Sequence, residues 1–279
     1  MKLMSEKKWI KKITELEKAS TKSTKKQVEK ALVNAIKDRI PDERFGVLLS
    51  GGVDSCLIAL LCQQAGADFI CYTVGMKDSP DIPWAVKFAK RFKIPIQVKT
   101  FALKEVEPLF KKTKSILKHV DILSIGVGAV TLAAMQLAKK DKVKIVFSGL
   151  GSEEIFAGYH QHAEADDVHA ECWKGLKLIL KRDLKRDCAI ADALKMEILT
   201  PFIDEDLIRV AMGISPSRKV DDKEKKIILR EIAEDLGLPK EYAWRSKKAA
   251  QYGSWFDKAM YKLSRIKGFK LKQHYINRL

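Results

Sequence analysis

Apolar positions along this chain follow two rhythms in turn. Short apolar runs of strand length alternate with longer segments in which apolar residues recur every three or four positions. Val28, Ala31, Leu32, Ala35 and Ile36 mark one face of an amphipathic helix that ends before Pro41. Residues 45–49 then read as a buried parallel strand. A polar, glycine-rich turn over 50–55 leads into a helix over 56–65 and a second strand over 69–74. The pattern continues with a helix over 82–92, Pro83 lying in its first turn. A third strand over 96–100 follows, then a lysine-rich helix from about Pro108 to Lys118. A helix over 128–138 and a fourth strand over 144–147 complete this half. Such alternation predicts an α/β fold, a mostly parallel sheet covered by helices.

The rhythm changes after Tyr159. Long basic helical stretches dominate there, broken at Thr200-Pro201 and over 214–217. Three parts follow: a basic helical lead-in over 1–40, an α/β core over 41–159, and a largely helical part over 160–279 packed on that core. No Gly/Ser linker separates the last two. The hydroxyl cluster Ser20, Thr21, Ser23 and Thr24 fits a turn or a helix cap.

Composition narrows the class. A chain of 279 residues, 46% hydrophobic and 32% charged, suits one large globular domain. No uninterrupted apolar stretch reaches the ~18 residues of a membrane helix. The N-terminus lacks the apolar core of a secretion signal, so a cytoplasmic location without a membrane is expected. Five irregularly spaced cysteines form no Cys-x-x-Cys pair, which argues against a disulfide framework or a structural zinc. The histidine spacing around His160, His162 and His169 matches no known ligand set. The net charge of +17, from 53 basic against 36 acidic residues, would draw polyanions. A tRNA partner fits it; so do lysine-rich helices facing solvent.

The chemistry concentrates at two polar turns. Ser50-Gly51-Gly52-Val53-Asp54-Ser55 lets the backbone turn tightly at the end of the first strand and the start of a helix, a place for a phosphate. Ser50 and Ser55 can donate hydroxyls to phosphate oxygens. Asp54 would repel a phosphate unless a cation lies between them, which points to Mg²⁺. The turn lacks the Gly-Lys-Ser/Thr end of an ATPase P-loop and the glycine spacing of a dinucleotide fingerprint. Ser-Gly-Gly-x-Asp-Ser after an apolar strand resembles instead the pyrophosphatase loop of the N-type ATP pyrophosphatases.

Further blocks resemble the synthetase domain of the asparagine synthetase family, in family order over roughly residues 20–255. They are Tyr72-Thr73-Val74-Gly75-Met76 with Ser79-Pro80-Asp81, the second turn from Ser148 to Tyr159, and Lys195 to Asp204. Lys226-Ile227-Ile228-Leu229-Arg230 and Arg245-Ser246-Lys247-Lys248 complete the set. The resemblance implies a Rossmann-like sheet of the adenine nucleotide alpha hydrolase type. It implies ATP as cofactor, cradled by Ser50, Gly51, Gly52, Asp54 and Ser55, with Gly149 of the second turn beside it. Val74 and Gly75 would sit by adenine, and Asp54 and Glu153 would hold Mg²⁺. Lys226 and Lys247 would stabilise charge at the α-phosphate and the leaving pyrophosphate, with Arg245 in the same cluster. The implied reaction is carboxylate attack on ATP, giving an acyl-adenylate that ammonia or an amine converts to an amide. The carboxylate is aspartate if the family substrate is kept.

The chain departs from the family at several places. No glutaminase domain fits before the synthetase-like block, so nitrogen would come as free ammonia, as an amine, or from a separate glutaminase subunit. Leu150 stands where the family has glutamate, and Leu199 where it has arginine. Glu153 replaces an aspartate and keeps its carboxylate. Glu154 fits either a general base or a helix cap. Two other readings stay open: an RNA-modifying enzyme that adenylates a base carbonyl in tRNA, and a non-catalytic nucleotide-binding regulator.

Overall fold

A computed structural model of the chain describes residues 3–118, 121–246 and 248–279. Helices α1 (Glu6–Ala19) and α2 (Lys25–Lys37) come first. Thr24 caps α2 in a reciprocal box with Gln27, while the Ser20 hydroxyl donates to the Arg209 carbonyl at 3.0 Å. The hydroxyl cluster therefore both caps a helix and ties the lead-in to the far half of the chain. Trp9 makes a similar tie, its indole N–H donating to the Leu176 carbonyl at 2.8 Å.

The centre is a five-stranded sheet: β1 (Phe45–Leu48), β2 (Phe69–Met76), β3 (Ile96–Phe101), β4 (Ile145–Phe147) and β5 (Glu197–Leu199). All pairings are parallel, in the order β3-β2-β1-β4-β5. The chain winds outward from β1 through β2 to β3, then crosses back to place β4 on the other side of β1. In such sheets the two diverging loops at this reversal leave a crevice for ligands. Both polar turns of the sequence, after β1 and after β4, lie there.

Helices α3 (Val53–Gln64) and α4 (Asp81–Phe92) cover one face, packing with Phe45, Val47, Cys71 and Phe147. Helices α5 (Leu103–Leu117) and α6 (Ile122–Lys140) cover the other, packing with Ile70, Tyr72, Val74 and Val146. The alternation of strand residues between the two clusters is the period-two signature of a sheet buried on both sides.

Two helices are longer than the sequence implies. α5 starts five residues before Pro108, which lies inside it; the Glu105 carboxylate accepts the Ala102 N–H at 2.7 Å and fixes the true start. α6 starts at Ile122, where the Asp121 carboxylate accepts the Ser124 N–H at 2.7 Å. Its Gly128 allows close approach, since a Cβ there would lie 2.9 Å from Thr113 Cγ2 of α5. At 19 residues α6 is long and apolar enough to cross a membrane by length and composition. Here Ile125, Ala129, Leu132, Ala133 and Met135 are buried in the protein core.

The second half continues with α7 (Ser152–Ile155), α8 (His160–Ala163), α9 (Val168–Ile179), a π-helical turn over Leu180–Leu184, and α10 (Lys185–Leu194). After β5 come α11 (Glu205–Met212), α12 (Ile227–Asp235), α13 (Lys240–Ala243), α14 (Ala250–Gly253), α15 (Phe256–Ile266) and α16 (Lys272–Arg278). This half is helical as expected except for β5, which completes the sheet. The five cysteines are buried and form no disulfide among the described residues.

Candidate active site

The loop after β1 is shaped by its glycines and closed by its serines. Gly51 has φ +72°, and a Cβ there would lie 2.8 Å from Trp84 Cβ, so both backbone and space require glycine. Ser55 Oγ donates to the Gly52 carbonyl at 3.2 Å and accepts the Ser50 N–H at 3.2 Å. The Ser50 and Ser55 hydroxyls lie 3.2 Å apart. Gly52, the N-cap of α3, places no side chain on the first-turn N–H groups, which leaves the helix end open to an anion.

Asp54, in that first turn, is buried, and its two oxygens accept from the Lys226 ammonium at 2.8 and 2.9 Å. The same ammonium donates to Ser152 Oγ and pairs with Glu153 Oε1, each at 2.9 Å. One cation thus joins both loops of the crevice. Burial alone would lower the Lys226 pKa, but Asp54 and Glu153 outweigh it and raise it above the ordinary lysine value. Small residues make room for this junction. A Cβ at Gly149 would lie 2.9 Å from Asp54 Cβ, and one at Gly158 would overlap Glu153 Oε2 and Lys226 Cε.

Lys226 reaches this place through its own loop. It sits in the left-handed conformation, φ 58°, at the start of α12. A bridge between Val220 and Lys225 closes the loop, and the Ile227 N–H donates to the Lys219 carbonyl at 2.9 Å. Arg230, one helical turn on, donates through Nε to the Lys225 carbonyl and through Nη1 to the Ala243 carbonyl, both at 2.6 Å. It therefore binds the Lys226 loop to the segment that carries Arg245.

Arg245 also comes to the site, but its guanidinium is engaged with the protein. It donates to the Ser50 carbonyl at 2.8 Å and to Asp81 Oδ1 at 2.7 Å, and lies over the Trp84 ring. These contacts hold the first loop in shape. Val74 lines the cleft, whereas Gly75 packs against Ser79 and the Ser254 carbonyl. Lys247 lies outside the described residues.

Between the loops opens a cleft of about 480 Å³. One wall is apolar, with Leu48, Val74, Val127, Val130 and Ala134. Another carries Tyr159, Arg182, Asp183, Arg186 and Asp187. Behind it Glu154 is fully buried, accepting from the Tyr159 hydroxyl at 3.0 Å and from Arg182 Nη2 at 2.6 Å. Burial, reinforced by Asp183 and Glu153, outweighs Arg182 and pushes the Glu154 carboxyl up to about 7. Arg186 donates to Asp183 and to Asp187, each at 2.8 Å. The π-helical turn brings Arg182 and Asp183 to this wall; such turns are frequent at functional sites. Of this wall the sequence motifs include Tyr159, the last residue of the second-turn block, and none of the other four. The signal for those four is the Lys-Arg-Asp triplet at 181–183 repeated at 185–187, which sets two aspartates four residues apart in a basic helical stretch.

The donor set suits Mg²⁺ bound with a nucleotide. Asp54 and Glu153 already converge on one cation, and Mg²⁺ characteristically takes one or two carboxylates with the rest supplied by phosphate and water. Leu150 lines the cleft without an ionisable group, so no proton transfer occurs at that position.

Known proteins resemble this chain in sequence. The Asparagine synthase family model matches residues 27–166 and 160–269. The putative asparagine synthetase [glutamine-hydrolyzing] 1 of Methanocaldococcus jannaschii is 29% identical, over 92% of this chain and 54% of the relative. Asparagine synthetase B of Escherichia coli is 28% identical, over 84% of this chain and 46% of its own length. The chain spans about half the length of these curated relatives. Among solved structures, an NMN synthetase from Francisella tularensis aligns with TM-score 0.45 and 15% identity, over 91% of this chain and 94% of that one. With a family model matched along most of its length, the chain belongs to the asparagine synthase family.

Proposed function

We propose that this protein is an ATP-dependent ligase that forms AMP and pyrophosphate. It activates a carboxylate as an acyl-adenylate and passes the acyl group to ammonia or an amine. The observation that carries this reading is the junction of Asp54, Glu153 and Lys226 across the two loops of the crevice. ATP would lie with its phosphates on the first loop, where Ser50 to Ser55 and the open end of α3 face them, and with adenine against Val74. Mg²⁺ held by Asp54 and Glu153 would neutralise the phosphates as pyrophosphate leaves. Lys226 then has charge to offer where negative charge develops. Arg245 keeps the loop rigid, so little reorganisation accompanies reaction.

The acceptor wall of Tyr159, Arg182, Asp183, Arg186 and Asp187 carries both signs of charge, which suits a substrate with both an amine and a carboxylate. Aspartate meets that description. Residues 160–279 act here as one unit with the core, since they supply Lys226 and all of the acceptor wall except Tyr159.

The test is magnesium-dependent release of pyrophosphate and AMP from ATP, with aspartate and ammonium supplied. Asp54→Asn is expected to lower the rate at least about 100-fold, because it removes a metal ligand and the partner of Lys226. Wild-type rates in that variant would refute the assignment. Turnover with other carboxylates but not aspartate would keep the reaction class and change the acceptor.

A further inference from the structure

The carboxyl-terminal segment from Tyr252 to Lys272 carries six basic residues against one acidic residue, Asp257. Its arrangement is specific. α15 buries Phe256, Ala259, Met260 and Leu263 in the core and turns Lys258, Tyr261, Lys262 and Arg265 to solvent. These four lie at positions i, i+3, i+4 and i+7, on a single helical face. Aromatic rings interleave with the charges. Lys258 lies 3.8 Å from the centre of the Trp255 ring, and the Arg265 guanidinium 5.3 Å from that of Tyr261. Tyr261 is 49% exposed and Tyr252 is 48% exposed. Tyr252 also lines the mouth of the cleft, and α14, which carries it, packs on α15. A strip of exposed rings and cations therefore runs outward from the active-site mouth.

We propose that this strip binds single-stranded RNA. Cations at helical spacing track a phosphate backbone, and exposed rings between them offer faces on which unpaired bases stack. A duplex hides those base faces, and the single strands that persist in cells are chiefly RNA loops and ends. The apolar side of α15 is consumed by the core and leaves Ile266 as the one exposed aliphatic side chain of the helix, too little to make a face that lies in a lipid surface. The net charge of +17 adds long-range attraction to the same partner. This inference stands apart from the ligase reaction, because binding is measured without ATP or an acceptor.

The experiment uses the full chain and fluorescence anisotropy with a labelled RNA of mixed sequence, about 12 nucleotides long to span one such site. It is compared with the same RNA annealed to its complement and with phosphatidylserine vesicles. Binding to the single strand is expected in the range of about 1–100 µM, falling as salt rises. Tyr261→Ala should weaken it about tenfold with an unchanged slope against salt, since it removes stacking and no charge. Lys262→Gln with Arg265→Gln should lower that slope by about 0.7 for each phosphate left without its cation. Lys26→Gln with Lys30→Gln, exposed charges on α2, should leave binding unaltered. These surface changes spare the core, and circular dichroism confirms the fold of each variant. Equal affinity for the duplex, preference for vesicles, an unaffected Tyr261→Ala, or an equal loss in the α2 variant would each overturn the proposal.

Discussion

His162 shows how a single buried side chain couples this fold to pH. Its ring is buried, with Nδ1 accepting the Tyr159 N–H at 3.2 Å and Nε2 without a hydrogen-bond partner. Burial lowers its pKa from 6.5 to about 4, although Glu171 and Glu153 pull the other way. The unfolded chain therefore takes up a proton below pH 6.5 that the folded chain refuses until about pH 4. Its contribution to stability is complete above pH 6.5 and is lost as pH falls through that window. Urea unfolding at about pH 7.5 and about pH 5 should show a loss on the order of 1 kcal/mol that His162→Gln removes. An identical pH dependence in the variant would exclude His162 as its source. At this scale the sequence is informative where neighbours in sequence are neighbours in space. Ser50 to Ser55 form one contiguous loop, and their closeness in space can be read directly. Glu154, Tyr159 and Arg182 meet through a π-helical turn that no hydrophobic period announces. Neither reading of Glu154, base or cap, hints that it is a fully buried partner of an arginine.

Elements carry the precision of the site. Lys226 depends on a loop whose return is fixed by the Val220–Lys225 bridge and by Arg230. Lys226 and Arg230 fall in one sequence block, yet the block does not reveal that the arginine supports the lysine's loop. Arg230→Ala leaves the carbonyls of Lys225 and Ala243 without this donor and frees two loops at once. It should cost about 3 kcal/mol of stability. It should also reduce pyrophosphate release more than it alters ATP affinity measured by equilibrium dialysis. Loss of stability with a normal rate at low temperature would limit Arg230 to a structural part. Strand β5 is hidden in the sequence for a different reason: Glu197–Leu199 begins with a charged residue and lacks the unbroken apolar run that marks the equally short β4. The exposed face of α15 is hidden too, because Lys258, Tyr261, Lys262 and Arg265 align only once the helix has turned its apolar side inward.

For the whole molecule, the boundary near residue 160 follows sequence character better than packing. One core cluster runs from Trp9 to Ala243 and the other from Ile70 to Ile276, so each draws on both sides of it. β4 gains its outer neighbour from beyond the boundary. The chain should therefore unfold in one transition, with near- and far-ultraviolet circular dichroism coinciding. A fragment of residues 1–159 should fail to give the native near-ultraviolet spectrum. Two separated transitions would show that the halves are independent. The lead-in behaves likewise: α1 and α2 lie against α9, α11 and α3 and belong to the fold rather than preceding it.

The burial of every cysteine gives the chain an internal stopwatch. Cys56, Cys62 and Cys71 lie around the first loop and its helix, and Cys172 and Cys188 lie on the two sides of the π-helical turn. Burial raises the Cys62 thiol to about 12, so a maleimide meets little thiolate in the closed protein. Modification then waits for the chain to open, and its rate at each sulfur times the opening of that region. Mass spectrometry of the labelled peptides would record which half of the molecule breathes first, with no foreign probe built in.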